Sequence, residues 1–296
     1  MPTLRTVLVP ALLPLLAAAD HAPFSVAFPA PAGNLTVEAG SAADVSALLD
    51  PPTGSGRPAQ QHGFVVAEGG RFQFEDGQAG RFWGLNWPAG RPMPVGEQGA
   101  GLAQRLARQG VNLLRIQPPP TNQAGDVRRF EEFSGYLKAQ GIYLDVLLAA
   151  SEAAAAVART NRVTRFAPRE DAGIALFEFI PNAAVKDVRA ALRKADARAP
   201  VAAAGPLRKA GDAASLGTND FLSQTVEWSG AQPMVKSSRT LFGPMSFGAP
   251  RTRPWVVGSW TVAGTNAFRT ELPLWTAATA AFQNWAGVCG SPASTN

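Results

Sequence analysis

From residue 81 to near the chain's end, short apolar runs and segments of helical composition follow one another in turn. That alternation constrains the fold more than any other feature. The unit is clearest at GIALFEFIPNAAV, where an apolar run, residues 174–180, carries one acid, Glu178, and is bounded by Gly173 and Pro181. A short apolar run closed off by Gly and Pro reads as a buried strand. The loop Pro-Asn-Ala-Ala then leads into a helical stretch, residues 185–197. Strands that alternate with helices lie parallel in one sheet.

The same reading predicts strands over 81–87, 111–116, 142–149, 201–204, 220–228 and 253–260, with a fragmentary one at 286–289. Helices are expected over 96–109, 126–140, 151–159, 185–197 and 270–285. Leu102 and Leu106 mark the apolar face of the first helix, and Phe130, Phe133 and Leu137 that of the second. Gly110 and Gly141 read as helix stops. Seven strands and a fragment point to a (β/α)8 TIM barrel. It is shortened after strand 3, where only a stub helix separates Ala149 from Ile174, and incomplete at strand and helix 8. A barrel without its last helix exposes apolar surface unless the N-terminal arm, a protein partner or a second copy covers it.

Before the barrel, Arg5, the apolar run 7–16 and Ala17-Ala18-Ala19 read as a signal peptide over residues 1–19. The run is short for a membrane span, so the membrane enters only through export, to a secreted or periplasmic location. Residues 20–62 read as an extended arm, with short strands at 24–28 and 35–37. Glu-Gly-Gly and Glu-Asp-Gly-Gln turn signals after Gly63 predict a hairpin, 64–66 with 71–74. The barrel domain is set at 63–290 and a tail at 291–296.

Composition removes most chemistry. One cysteine, Cys289, excludes an internal disulfide and a Cys-rich metal site. With only His21 and His62, a Ser-His-Asp arrangement or a His-rich zinc site has little to draw on. Acid–base work falls to carboxylates. Dinucleotide fingerprint and P-loop are both lacking, so no cofactor and no metal are implied. The net charge of +5 suits an anionic polymer or surface, yet no basic cluster with interleaved aromatics speaks for nucleic acid.

Several stretches, in this order and spacing, resemble the cellulase-like, retaining glycoside hydrolases of clan A, family 5 type. They are GRFQFEDGQAGRFWGLNW, LARQGVNLLRIQ, FEEFSGYLKAQGIYLDVLL, TNRVTRFAPREDAGIALFEF, RPWVVGSW and FRTELPLWTAATAAFQNWAGV, and together they span about residues 45–288. The resemblance implies a retaining double displacement, with an acid/base glutamate after strand 4 and a nucleophile glutamate ending strand 7. Such a pair stands about 5 Å apart. Laid on this sequence, the acid/base position falls on Asn182 and the nucleophile position on Ser259. An asparagine amide donates no acid proton, and a serine without a base is a weak nucleophile. The histidine expected two residues after Arg115 is Gln117, and the sixth-strand pattern is reduced to Thr225, Glu227 and Trp228. Residues 251–269 contain neither Asp nor Glu.

The leading expectation is therefore an exported, catalytically degenerate barrel that binds carbohydrate. Trp87, Trp228 and Trp260 would stack on sugar faces, and Arg115, Gln117 and Asn182 would bond hydroxyls. One alternative is an active O-glycosyl hydrolase using relocated carboxylates: Glu227, with Glu152 or Glu178. Glu178 lies four residues before Asn182, ~13 Å down the strand, which suits it better to a buried partnership with Arg115. A further alternative is a structural or interaction scaffold.

Overall fold

The computed structural model describes residues 37–49, 59–149, 152–163, 165, 167–180, 185–205, 219–228, 233, 252–262 and 266–291. The side chains of 48–49, 185–187 and 227–228 lie outside that description, as do the expected signal peptide, the strand at 24–28 and Asn182. All described residues belong to one compact unit, Val37–Asn296.

Eight parallel strands form the barrel wall: β4 (Phe82–Asn86), β5 (Leu113–Ile116), β6 (Tyr143–Ala149), β7 (Ile174–Ile180), β8 (Val201–Ala203), β9 (Leu222–Trp228), β10 (Trp255–Val262) and β11 (Gly287–Gly290). They run β8-β7-β6-β5-β4-β11-β10-β9 around the sheet. The barrel is nearly closed, and β8 meets β9 through Asp220 N–H to Val201 O (2.9 Å) and Thr225 N–H to Gly205 O (3.3 Å). The eighth strand is a full member, paired with β4 on one side and β10 on the other. The sequence read it as a fragment because Ala-Gly-Val-Cys-Gly is short and poor in branched side chains. Its four residues are all buried.

Helices α2 (Gly96–Arg108), α3 (Ala124–Ala139), α4 (Ala153–Ala158), α5 (Val185–Lys194) and α6 (Glu271–Gln283) occupy the connections, and a short α1 (Ser46–Leu49) precedes the barrel. Gly110 and Gly141, at φ +81° and +75°, end α2 and α3 as expected of residues free to adopt left-handed backbone. The outer layer of the core joins Leu106, Phe133, Leu137, Val146, Phe177 and Leu192. α4 is a stub of six residues, followed by one turn of 3-10 helix at Pro168–Glu170. Lys138 on α3 forms a buried ion pair with Asp171 in this shortened connection, and Gln60 Nε2 bonds the other Asp171 oxygen at 2.8 Å.

The hairpin becomes a three-stranded antiparallel sheet, β1 (Val65–Glu68), β2 (Arg71–Phe74) and β3 (Ala79–Gly80). Its aromatics seal the N-terminal end of the barrel. Phe72 meets Phe82 and Phe221 (6.0 and 5.4 Å between ring centres), and Phe74 meets Tyr143 (5.2 Å). The last residues of the expected arm are tied to the barrel body: Val45 N–H bonds Arg108 O, and buried Ala59 bonds Lys138 O. The phenylalanines occupy the N-terminal end, and in (β/α)8 barrels it is the opposite, C-terminal end that carries ligand sites.

Candidate functional site at the barrel mouth

Three charged residues occupy the barrel interior below the mouth. Each sits alone in an apolar strand: Arg115 in LLRI, Asp145 in YLDVLLA and Glu178 in IALFEFI. Residues two apart on a strand face the same side, and in a small barrel one of those sides is the interior. The register aligns Arg115 with Asp145. Arg115 contacts Glu178 through Nη2, and its Nε lies 3.5 Å from Asp145 Oδ2. Nη1 donates to the carbonyl of Gly258 on β10 (2.7 Å). Asp145 and Glu178 are both 0% exposed, and Arg115 is 5% exposed.

Electrostatics follow from that burial. Desolvation, reinforced by the neighbouring Glu178, pushes the Asp145 carboxyl well above its ordinary value despite the opposing Arg115. Burial alone would lower the Arg115 guanidinium, but Glu178 and then Asp145 more than offset it. Cys289, also fully buried, is raised well above the ordinary thiol value by desolvation, so it is no thiolate nucleophile. The cluster is a buried charge network, with Asp145 and Glu178 fully buried and Arg115 nearly so.

Above it, β10 is irregular. Its pairing shifts register between Val256 and Ser259 toward β9, and between Val257 and Trp260 toward β11. The Asn86 carboxamide donates to the Gly258 carbonyl (3.1 Å) and Cys289 carbonyl (3.3 Å), tying β4 to the bulged segment. A Cβ on Gly258 would lie 2.4 Å from Ser223 Oγ and 3.1 Å from both Arg115 Nη1 and Glu178 Oε1. Only glycine lets the strand pass this close to the charge cluster. Bulges of this kind re-aim side chains at barrel rims.

Ser259 is half-buried, and its hydroxyl bonds Ser291 Oγ (2.7 Å). The half-buried Trp260 lies against Gly290, its Nε1 without a hydrogen-bond partner among the described residues. Trp87, also half-buried, packs on Phe133 (5.1 Å), gives its N–H to Arg91 O (3.0 Å) and carries the Arg91 guanidinium over its ring (5.5 Å). Glu227 and Trp228 end β9, and their side chains, like Asn182, lie outside the described residues.

Two cavities flank the proline run after β5. A polar one of about 280 Å³ is lined by Trp87, Arg91, Gln117, Pro118–Pro120, Gln123, Asp126 and Arg129. A more apolar one of about 140 Å³ lies toward α3, β6 and α4, where the stub helix leaves room. Glu152 lines it, together with Glu131, which is 4% exposed and paired with Arg159 at 3.1 Å. Gln117 borders both cavities, whereas Arg115 lines neither.

The sequence reading passed over Asp145, Arg91 and Arg129. A lone acid in an apolar strand was visible for Asp145, as it was for Glu178. Arg91 and Arg129 carry no such signal, since their meeting depends on how the loop after β4 folds against α3. Among the described residues no group of three or more His, Cys, Asp or Glu could hold a metal ion.

No protein-family model matches the chain, and no curated protein sequence matches it significantly. Solved structures do. The β-glucanase SdGluc5_26A from Saccharophagus degradans aligns at TM-score 0.56 and 13% identity, over 76% of this chain and 83% of that one. The endo-β-1,4-mannanase from Thermotoga petrophila aligns at 0.59 and 13%, over 71% and 67%. The catalytic domain of Thermobifida fusca endoglucanase Cel5A, solved with cellotetraose, aligns at 0.54 and 13%, over 79% and 86%. At such identity the likeness establishes architecture: this chain has the (β/α)8 fold shared by these cellulases and mannanases.

Proposed function

We propose that the protein is an exported, glycoside-hydrolase-like barrel that binds oligo- or polysaccharide at its C-terminal mouth and has lost retaining hydrolysis. One observation carries the reading. Among the described residues, the carboxylates that point into the barrel, Asp145 and Glu178, are buried on Arg115, while the seventh barrel strand, β10, carries Ser259 and Trp260 after its register shift, with Ser259 bonded to a second serine. Retaining chemistry needs two carboxyl groups facing one glycosidic bond. Asn182 at the expected acid/base position completes the argument from sequence. Carbohydrate binding draws support from the neighbours solved with maltose and cellotetraose, and from the polar cavity beside Trp87 and Gln117.

The test has two arms. Calorimetric titration against β-glucan, mannan and acidic oligosaccharides reads binding, and activated aryl glycosides read hydrolysis. Binding without turnover is expected. Turnover abolished by Glu227→Gln or Glu152→Gln would instead establish relocated carboxylates. Export is checked by fractionation and N-terminal sequencing, with a mature end near Asp20 expected.

A second reading, the interaction scaffold, is favoured by α6, where Phe282 is 90% and Leu274 74% exposed. Concentration-dependent sedimentation supports it, and a strictly monomeric species removes it.

A further inference from the structure

The polar cavity is unevenly charged. Two arginines, Arg91 and Arg129, face one acid, Asp126, with Gln117 and Gln123 supplying amide donors. Neither arginine makes an ion pair among the described residues. Glu132, three residues after Arg129, spends its hydrogen bonds on Gly96 N–H (2.8 Å) and Tyr136 O–H (2.9 Å), and Arg128 and Arg129 act on it only through longer-range charge. The hydrogen bond from Arg129 Nη1 to Met93 O is long, at 3.4 Å. Arg91 is held in place rather than spent. Its N–H closes a turn onto Pro88 O (3.2 Å), its carbonyl receives the Trp87 indole, and its guanidinium rests over that ring. A loop pre-set in this way loses little freedom on binding.

We propose that this cavity is a subsite for a carboxylate-bearing sugar, a hexuronate unit of an acidic polysaccharide. The proposal rests on the carbohydrate-binding reading and specifies its ligand class. Guanidinium groups match a carboxylate bidentately, a fit that a neutral hydroxymethyl cannot provide. Trp87 and Pro118–Pro120 give the apolar walls against which a pyranose C–H face rests. The cavity, at about 280 Å³, gives room for one sugar ring and its substituents. The basic balance of the whole chain, +5, acts in the same direction by raising the local concentration of an acidic polymer.

The experiment titrates the full chain with tetragalacturonate, cellotetraose and mannotetraose at low and raised salt. Tetragalacturonate is expected to bind about tenfold tighter or more, and to weaken as salt rises. The Arg91→Gln/Arg129→Gln variant, checked for an unchanged thermal melt, loses that preference. The Arg91→Lys/Arg129→Lys variant keeps the salt dependence but loses most of the preference, because an ammonium lacks the planar fork. If the neutral tetramers bind as tightly, or the glutamine variant keeps the preference, the uronate subsite is wrong and carbohydrate binding stands. If none of the three binds, both readings fall.

Discussion

Replacing Arg115 with methionine removes the cation that touches Asp145 and Glu178 while keeping an unbranched apolar stem. Both acids are fully buried, so neither recovers hydration when the cation goes. Removing one partner from a buried ionic network costs about 3–5 kcal/mol. The Gly258 carbonyl adds little, since Asn86 still donates to it. At roughly 2–4 °C per kcal/mol for a domain of this size, the melting temperature should drop by about 10 °C. Urea unfolding followed by tryptophan fluorescence should show a lower midpoint at unchanged slope.

The deficit also has a pH signature. Asp145 is raised above its ordinary 3.8 in the folded state, so between that value and its folded value the native chain holds a proton that the unfolded chain has released. Stability from this group therefore falls as pH rises through that window. Arg115 pulls the Asp145 value down, so its loss widens the window, and the deficit of Arg115→Met grows from mildly acidic toward neutral pH. Neutralising the whole cluster, in Arg115→Met/Asp145→Asn/Glu178→Gln, should recover much of the loss and flatten the pH dependence. A single variant within about 1 kcal/mol of the parent at every pH, or a triple variant no better than the single, would refute the reasoning.

Other outcomes follow from single contacts. Gly258→Ala forces a methyl against Ser223 Oγ and should cost about 1–3 kcal/mol, with Ser223→Ala in the same chain recovering part of it in thermal melts. Asp220 accepts from Arg189, from Arg193 and from the Val201 N–H (2.9 Å) where β8 meets β9. Its ion pairs are partly solvated and worth little, so Asp220→Ala should lose about 2 kcal/mol, mainly through the orphaned amide, with hydrogen exchange rising first in β8. Phe282→Ser, at a side chain 90% exposed, should leave monomer stability within about 0.5 kcal/mol, as read by circular dichroism.

Much of this fold was legible in the chain. The strand over Ile174–Ile180 and the helix stops at Gly110 and Gly141 follow from local patterns, because burial on both faces of a parallel strand writes itself as a continuous apolar run. At β11 local pattern shows only a fragment, over 286–289, because the strand's full membership comes from its pairing with β4 and β10. At the candidate site, sequence alone shows which groups are scarce: there are two histidines, and residues 251–269 hold no carboxylate. It could not say where the remaining charges go. Closing the sheet brought Arg115, Asp145 and Glu178 from three strands to one dry interior point, and set Gly258 against them. The loop after β4 and helix α3, separated in sequence by all of α2 and β5, bring Arg91 and Arg129 to one cavity. Residue type fixes what a group can do, but burial and neighbours, which only the tertiary structure supplies, decide whether a carboxyl meets solvent, a guanidinium or a sugar.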